Sequence, residues 1–273
     1  MKHNIIFMHI PKNGGSSFRP ILLRHFRPES TFTVQLIGND KLNIDKFVNM
    51  PQHERDQIHC LLGHTNYGLH EYMNGKTDYI AFLRKPVDRI ISFYYYVLSL
   101  PEHRLYDTIT KNNMSLYDFV LNINQGDVNN GQIRYISGIR DKPELMLERA
   151  LENIEKHFPV VGFLEQYDKS LVLLKHHYQF HLPYYRVRNK TKKRKTSEEI
   201  SKETIELIQE MNKEETLLYH EMEKRFNAQL KQMGENKVNL ELNKLRLANQ
   251  VYNSPLFDKS MGALKRIKRL LKT

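Results

Sequence analysis

Residues 11–17, Pro-Lys-Asn-Gly-Gly-Ser-Ser, put one cation, two glycines and two hydroxyls between an apolar run and a helical pattern. That set suits a phosphate-like anion. Gly14 and Gly15 can take backbone angles that let successive N–H groups converge on one oxygen. Ser16 and Ser17 can cap the following helix, whose positive end faces the anion, and Lys12 adds a mobile ammonium. A second segment repeats the layout: residues 79–83 are apolar, Arg84 follows, and Pro86 opens a helix where its missing N–H costs nothing. Arg89, Ser92 and Tyr96 are three and four residues apart, so they share one helix stripe that can turn toward whatever Arg84 holds. Alternatively, Arg84 pairs with Asp88 or Glu71, and Tyr94 to Tyr96 only pack. Two anion sites at neighbouring strand ends imply a ligand with two separate phosphate groups.

Three apolar runs read as buried strands that position these residues, at 5–10, 58–62 and 79–83, each ending in polar residues. With helical patterns between and after them, the order is that of an α/β fold, a central parallel sheet with flanking helices. Ligands of such sheets lie beyond the carboxyl ends of the strands. After residue 100 the pattern is mostly helical, at 116–123, 143–157, 168–179 and 198–226, with one short strand at 160–163. Residues 186–196 form a basic loop, Gly234 marks a break, and helices follow at 236–252 and 256–271, the last basic on its polar side. Two units are expected, a domain at 1–226 and a helical basic extension at 227–273.

The chain has 273 residues, 40% of them hydrophobic, enough for a sizeable core. Its 42 basic and 31 acidic residues give a net charge of +11, which suits an anionic cofactor, an acidic polymer or an acidic membrane surface without choosing among them. The single cysteine, Cys60, lies in an apolar run and reads as a buried small hydrophobe. No apolar stretch is long enough to cross a membrane and no leader precedes the first strand, so a soluble, cytoplasmic protein is expected. A P-loop kinase or NTPase needs its lysine after the glycines, and here lysine precedes them. That reading stays as an alternative, as does a nucleic-acid or membrane-binding protein built on the basic tail at 261–272, which could rest on an acidic bilayer.

The loop at 11–17, followed by Arg84-x-Pro86-x-x-Arg89-x-x-Ser92-x-Tyr94, resembles the carbohydrate sulfotransferases that use 3′-phosphoadenosine 5′-phosphosulfate (PAPS). The similarity is to the branch with the heparan sulfate and dermatan uronosyl 2-O-sulfotransferases and their bacterial relatives. Gly63-His64, the run from Asn130 through Gly131, Gln132, Ile133 and Arg134 to Tyr135, Val161-Gly162-Phe163-x-Glu165-x-Tyr167-Asp168, and Asn212 with Leu218-Tyr219 also look like landmarks of that family. The resemblance covers about residues 4–226.

What the resemblance implies is a P-loop-like sulfotransferase fold and in-line transfer of a sulfuryl group from PAPS to a glycan or polysaccharide hydroxyl. Lys12, Asn13, Gly14, Gly15, Ser16 and Ser17 would hold the 5′-phosphosulfate, and Arg84 with Ser92 the 3′-phosphate. Lys12 would stabilise the departing phosphate oxygen. His64, the histidine of the Gly-His pair, would be the general base, with His70 as a lesser candidate for substrate binding. Arg134 would either line the adenosine side or brace its helix. Lys192 and Lys193, with Arg194, fall where these enzymes have a loop over cofactor and acceptor, and either contact one of them or stay solvated. No metal is required by this mechanism, and His176, His177 and His181, at helical spacing, read as solvated or packing residues rather than zinc ligands. No nucleic-acid partner is expected. Leu62 stands where the uronosyl enzymes have a second histidine, so the acceptor sugar and position are not carried over.

Overall fold

The computed structural model describes residues 3–37, 41–123, 126–186 and 195–254. The elements run β1 (Asn4–Met8), α1 (Gly15–His25), β2 (Thr31–Val34), β3 (Leu36–Ile37), β4 (Lys41–Leu42), α2 (Ile44–Val48), α3 (Gln52–Arg55), β5 (Cys60–Gly63), β6 (Thr77–Leu83), α4 (Pro86–Leu98), α5 (Tyr106–Lys111), α6 (Leu116–Asn122), α7 (Gly131–Ser137), α8 (Pro143–His157), β7 (Val161–Phe163), α9 (Tyr167–Tyr178), α10 (Lys202–Met211), α11 (Lys213–Met233) and α12 (Glu235–Tyr252). Five strands pair in parallel in the order β2-β5-β1-β6-β7, while β3 and β4 form a separate antiparallel ribbon. Every residue of β1, β5, β6 and β7 is buried, as a parallel sheet flanked by helices requires. This is why these strands stand out in the sequence as unbroken apolar runs.

Edge strand β2 escaped the sequence reading because only Val34 of its four residues is buried. The helix expected over 198–226 is divided, with a 3₁₀ turn at Ser197–Glu199 and a break between α10 and α11 at Asn212. The cause is tertiary: the buried Asn212 side chain accepts a hydrogen bond from the Asn130 N–H and donates to the Ile208 carbonyl, at 2.8 and 2.9 Å. Helix α11 runs through residue 226 and stops at Gly234. Helix α12 packs against α9 through Val172, Val238 and Leu242. Residues 187–194, with Lys192 and Lys193, and residues 255–273, with the expected basic helix, lie outside the described residues. Among those described, no helix is long and apolar enough to cross a membrane.

One apolar core surrounds the sheet and a second fills the space among α4, α5, α6 and α10. Between them lies a buried ion pair: Arg89 of α4 donates from Nε to Glu215 of α11 at 3.1 Å, each side chain 1% exposed. Arg89 Nη1 also reaches the Asp127 carbonyl at 2.7 Å. Of the expected stripe of Arg89, Ser92 and Tyr96 toward Arg84, Arg89 is thus turned to Glu215, whose carboxylate neutralises the buried guanidinium.

Removing one partner would strand the other charge in the interior. Glu215→Ala is expected to cost about 3–5 kcal/mol in urea unfolding. A loss below about 1 kcal/mol would show that the pair does not hold α4 to α11.

Candidate functional site

Three adjacent strands, β5, β1 and β6, end side by side, and the sequence-derived site residues follow them directly. After β1 the backbone turns left-handed at Lys12 (φ 69°) and again at Gly14 (φ 82°). Left-handed turns of this kind can gather successive N–H groups into an anion nest; the N–H groups of Asn13 and Ser17 donate instead to the Ile10 and Gly14 carbonyls, at 3.4 and 3.0 Å. A lysine in this region costs roughly 1–2 kcal/mol, so something must hold it. Asn13 does: its buried side-chain Nδ2 donates to the Phe82 carbonyl and to Gln132 Oε1, both at 2.6 Å. Gly14 is the N-cap of α1, no side chain caps the helix, and no acidic residue lies in its first turn. Ser16 and Ser17, expected as caps, are instead the second and third helical residues, because the left-handed Gly14 starts the helix at Gly15. The positive helix end is therefore not offset by a carboxylate. The Lys12 ammonium lies 3.9 Å from the centroid of the Tyr96 ring.

Beyond β6, the fully buried Gln132 pairs with the backbone of Arg84 as a neighbouring strand would. Its Oε1 accepts from the Arg84 N–H and its Nε2 donates to the Arg84 carbonyl, both at 2.8 Å. Lys85 donates its N–H to Glu165 Oε1 at 2.8 Å. Arg84 itself is 9% exposed and reaches back from Nη1 to the Lys12 carbonyl at 3.1 Å, which ties the two loops together. Ser92 is buried on α4, one turn before Tyr96.

His64 follows β5, and the register pairing Met8 with Gly63 makes His9 its cross-strand neighbour. Phe7, His9 and His64 share one face of the sheet, as the two-residue period demands. Their rings stack, Phe7 on His9 at 5.7 Å and His9 on His64 at 4.5 Å. His64 Nδ1 lies 2.8 Å from the His9 carbonyl oxygen. A carbonyl only accepts, so Nδ1 carries the proton and the neutral ring keeps its lone pair on Nε2. Burial pulls the His64 pKa below its ordinary 6.5, against the opposing effects of the His9 carbonyl and the Asp127 carboxylate. His9 is pushed down to about 3, by burial first and then by His64, Arg19 and Lys12. Both imidazoles are therefore neutral near pH 7. They line a cavity of about 400 Å³ with Ser16, Arg19, Thr33, Gln35 and Leu62. This set can cradle an anion at the loop and accept a proton at Nε2.

The remaining sequence candidates lie elsewhere. Arg134 donates from Nε to the Asn129 carbonyl at 2.8 Å and from Nη1 to the Arg140 carbonyl, contacts that brace α7, beside a second cavity of about 610 Å³ that includes Asn66, Asp127 and Tyr135. His70 lies 3.1 Å from the Tyr79 hydroxyl and its ring sits 4.2 Å from that of His157, away from the strand ends. The buried Cys60 thiol is pushed up to about 12, so it is no nucleophile. Among the described residues, no group of three or more His, Cys, Asp or Glu could hold a metal ion. His9, Gln132 and Glu215 were the residues whose part in the site went unread. His9 was counted within an apolar run, and only its pairing across the sheet reveals it. Gln132 was visible as part of a motif without a role.

The shifted His9 has a consequence for stability. Its native pKa near 3 lies far below the 6.5 of the unfolded chain, so below pH 6.5 the unfolded state takes up a proton that the native state refuses. The contribution is complete above pH 6.5 and is lost progressively as pH falls toward 3. Relative to His9→Phe, the protein is expected to lose stability on acidification with a slope of at most about 1.4 kcal/mol per pH unit. Parallel urea-unfolding curves for the two proteins between pH 7 and 5 would show this as a widening gap, and a constant gap would contradict it.

The sequence model of a family described as the sulfotransferase family matches residues 1–220. No curated protein matches the chain.

Proposed function

The chain belongs to the sulfotransferase family, and from that premise we propose that it transfers a sulfuryl group from PAPS to a hydroxyl of a glycan or polysaccharide, with His64 as general base. The observation that carries the reading is the hydrogen bond from His64 Nδ1 to the His9 carbonyl, which leaves Nε2 as the basic nitrogen of a ring lining the same cavity as Ser16. PAPS supplies a sulfuryl group already attached to a good leaving group, the 5′-phosphate. The residues fit such a donor: Lys12 and Arg84 bring two cations to neighbouring strand ends, and the first turn of α1 holds no carboxylate.

In this reading Nε2 of His64 takes the proton of the acceptor hydroxyl as its oxygen bonds to sulfur. The bond from sulfur to the bridging phosphate oxygen breaks, and that oxygen leaves with the electron pair. Lys12 and the N–H groups of Gly15 and Ser16 offset the charge developing there, while the Ser17 N–H donates to the Gly14 carbonyl at 3.0 Å. Arg84, with Ser92, takes the 3′-phosphate, and a guanidinium with little solvent access binds such a group strongly. Support for a glycan acceptor comes from the resemblance of Gly63-His64 and of the run from Asn130 to Tyr135 to the carbohydrate branch, and from a net charge of +11.

Calorimetric titration with 3′-phosphoadenosine 5′-phosphate (PAP) and, in parallel, ATP, each without and with magnesium, tests the donor. Metal-independent PAP binding, weakened at least about tenfold in Arg84→Ala, is expected. Magnesium-dependent ATP binding with no preference for the 3′-phosphate would overturn the reading in favour of a kinase. For the base, His64→Asn is expected to lower kcat by about 10²–10⁴ with PAP affinity unchanged. Because burial holds its pKa below 6.5, wild-type activity should fall on acidification only below that pH.

A further inference from the structure

His9 does more than lend its carbonyl. We propose that the side chain of His9 is a positioning residue for His64, an aromatic wedge seated between Gly15 and the His64 ring that fixes the plane in which Nε2 is presented. The inference rests on His64 being the base of the reaction proposed above.

Three observations carry it. The two rings stack at 4.5 Å with 19° between their planes, and the Phe7 ring stacks on His9 at 5.7 Å and 15°, so His9 is held by rings on its own strand and on the next. The stacked pair is a direct result of strand register, since His9 and His64 each stand one residue beyond the paired Met8 and Gly63. On its edge the His9 ring fills the space where a side chain at residue 15 would go: a Cβ on Gly15 would collide with Cδ2 and Nε2 of His9. Gly15 is thus required as glycine for the passage of this ring, although its own backbone is helical.

A single hydrogen bond at Nδ1 leaves an imidazole free to swing about that contact. A ring clamped face-on removes this freedom, and preorganised groups lose less on reaching the transition state. The wedge also keeps water from one face of His64, in line with the lowered basicity of that ring. A neutral wedge is needed, because a cation stacked at 4.5 Å would oppose protonation of the base. The charged and titratable groups acting on the pair are Arg19 of α1 and Lys12 of the loop, which act on His9, and Asp127, whose carboxylate favours the protonated form of His64.

The test is long-range proton–nitrogen NMR of the histidine rings across about pH 5–8, on PAP-saturated and free protein. In wild type, ring-to-ring nuclear Overhauser contacts between His9 and His64 are expected, with Nδ1 of His64 protonated and a midpoint below 6.5. His9→Ala should move that midpoint up by at least about half a unit and broaden the tautomer signal, while His9→Phe, which keeps a neutral ring in the seat, should restore both. Gly15→Ala should reproduce His9→Ala by expelling the ring, and should add nothing further in the double variant. Absence of the contacts in wild type, or unchanged His64 signals in folded His9→Ala or Gly15→Ala protein, would overturn the proposal. If His9→Ala does not fold, the wild-type contacts and Gly15→Ala still decide. These signals do not depend on sulfuryl transfer, so failure of PAP binding would count against the proposed donor and a fully active His64→Asn against His64 as its base, while the ring contacts and the His64 midpoint decide the wedge separately.

Discussion

One amide governs the geometry of the site. Gln132 is fully buried, so each of its hydrogen-bonding positions must find a partner inside the protein. Its oxygen accepts from Asn13 and from the Arg84 N–H, and its nitrogen donates to the Arg84 carbonyl and to Glu215. No capacity is left over. The side chain continues the sheet for one residue past the end of β6 and fastens to it the loop that leaves β1. The spacing between the two cationic loops is therefore set by a rigid planar group. Glu215 completes the arrangement: its Oε2 accepts from the Gln132 N–H at 2.5 Å, and Arg89 neutralises its Oε1. A glutamate at 132 would set a second carboxylate against Glu215 and lose the donor to Arg84, so size and shape alone do not specify this position.

Around that frame, the electrostatics divide by burial and by partner. Arg84 keeps its charge inside because guanidinium deprotonates only at extreme pH, and the Lys12 carbonyl receives one of its donors. Lys12 rests against the π face of Tyr96, a cation–π contact that steadies its ammonium at the loop. The histidines respond in the opposite way, since burial removes the proton from each. Two cationic loops therefore lie beside imidazoles that burial keeps neutral, the arrangement on which the proposed mechanism draws.

Much of the fold could be read directly. The buried parallel strands announce themselves as apolar runs because both of their faces are covered, and the helical pattern at 143–157 matches α8 to the residue. Strand β2 could not be read in this way, since three of its four residues remain partly exposed and the strand gains its place only by pairing with β5. The helix break at Asn212 was hidden for a similar reason. Its side chain leaves the helical pattern intact in sequence and acts on Asn130, 82 residues away.

The same division runs through the site. Chemistry carried by local order was legible in the chain: two glycines after a lysine, an arginine before a proline, a histidine after a strand, each at the carboxyl end of an apolar run. Local order sets backbone angles and helix starts, and these need only neighbouring residues. The tautomer of His64, the neutrality of His9, the inward turn of Asn13 and the diversion of Arg89 were decided by the folded structure alone. Each depends on burial or on a partner from another element, across 55 residues for His64 and 126 for Arg89. Desolvation and hydrogen-bond geometry exist only once those elements meet.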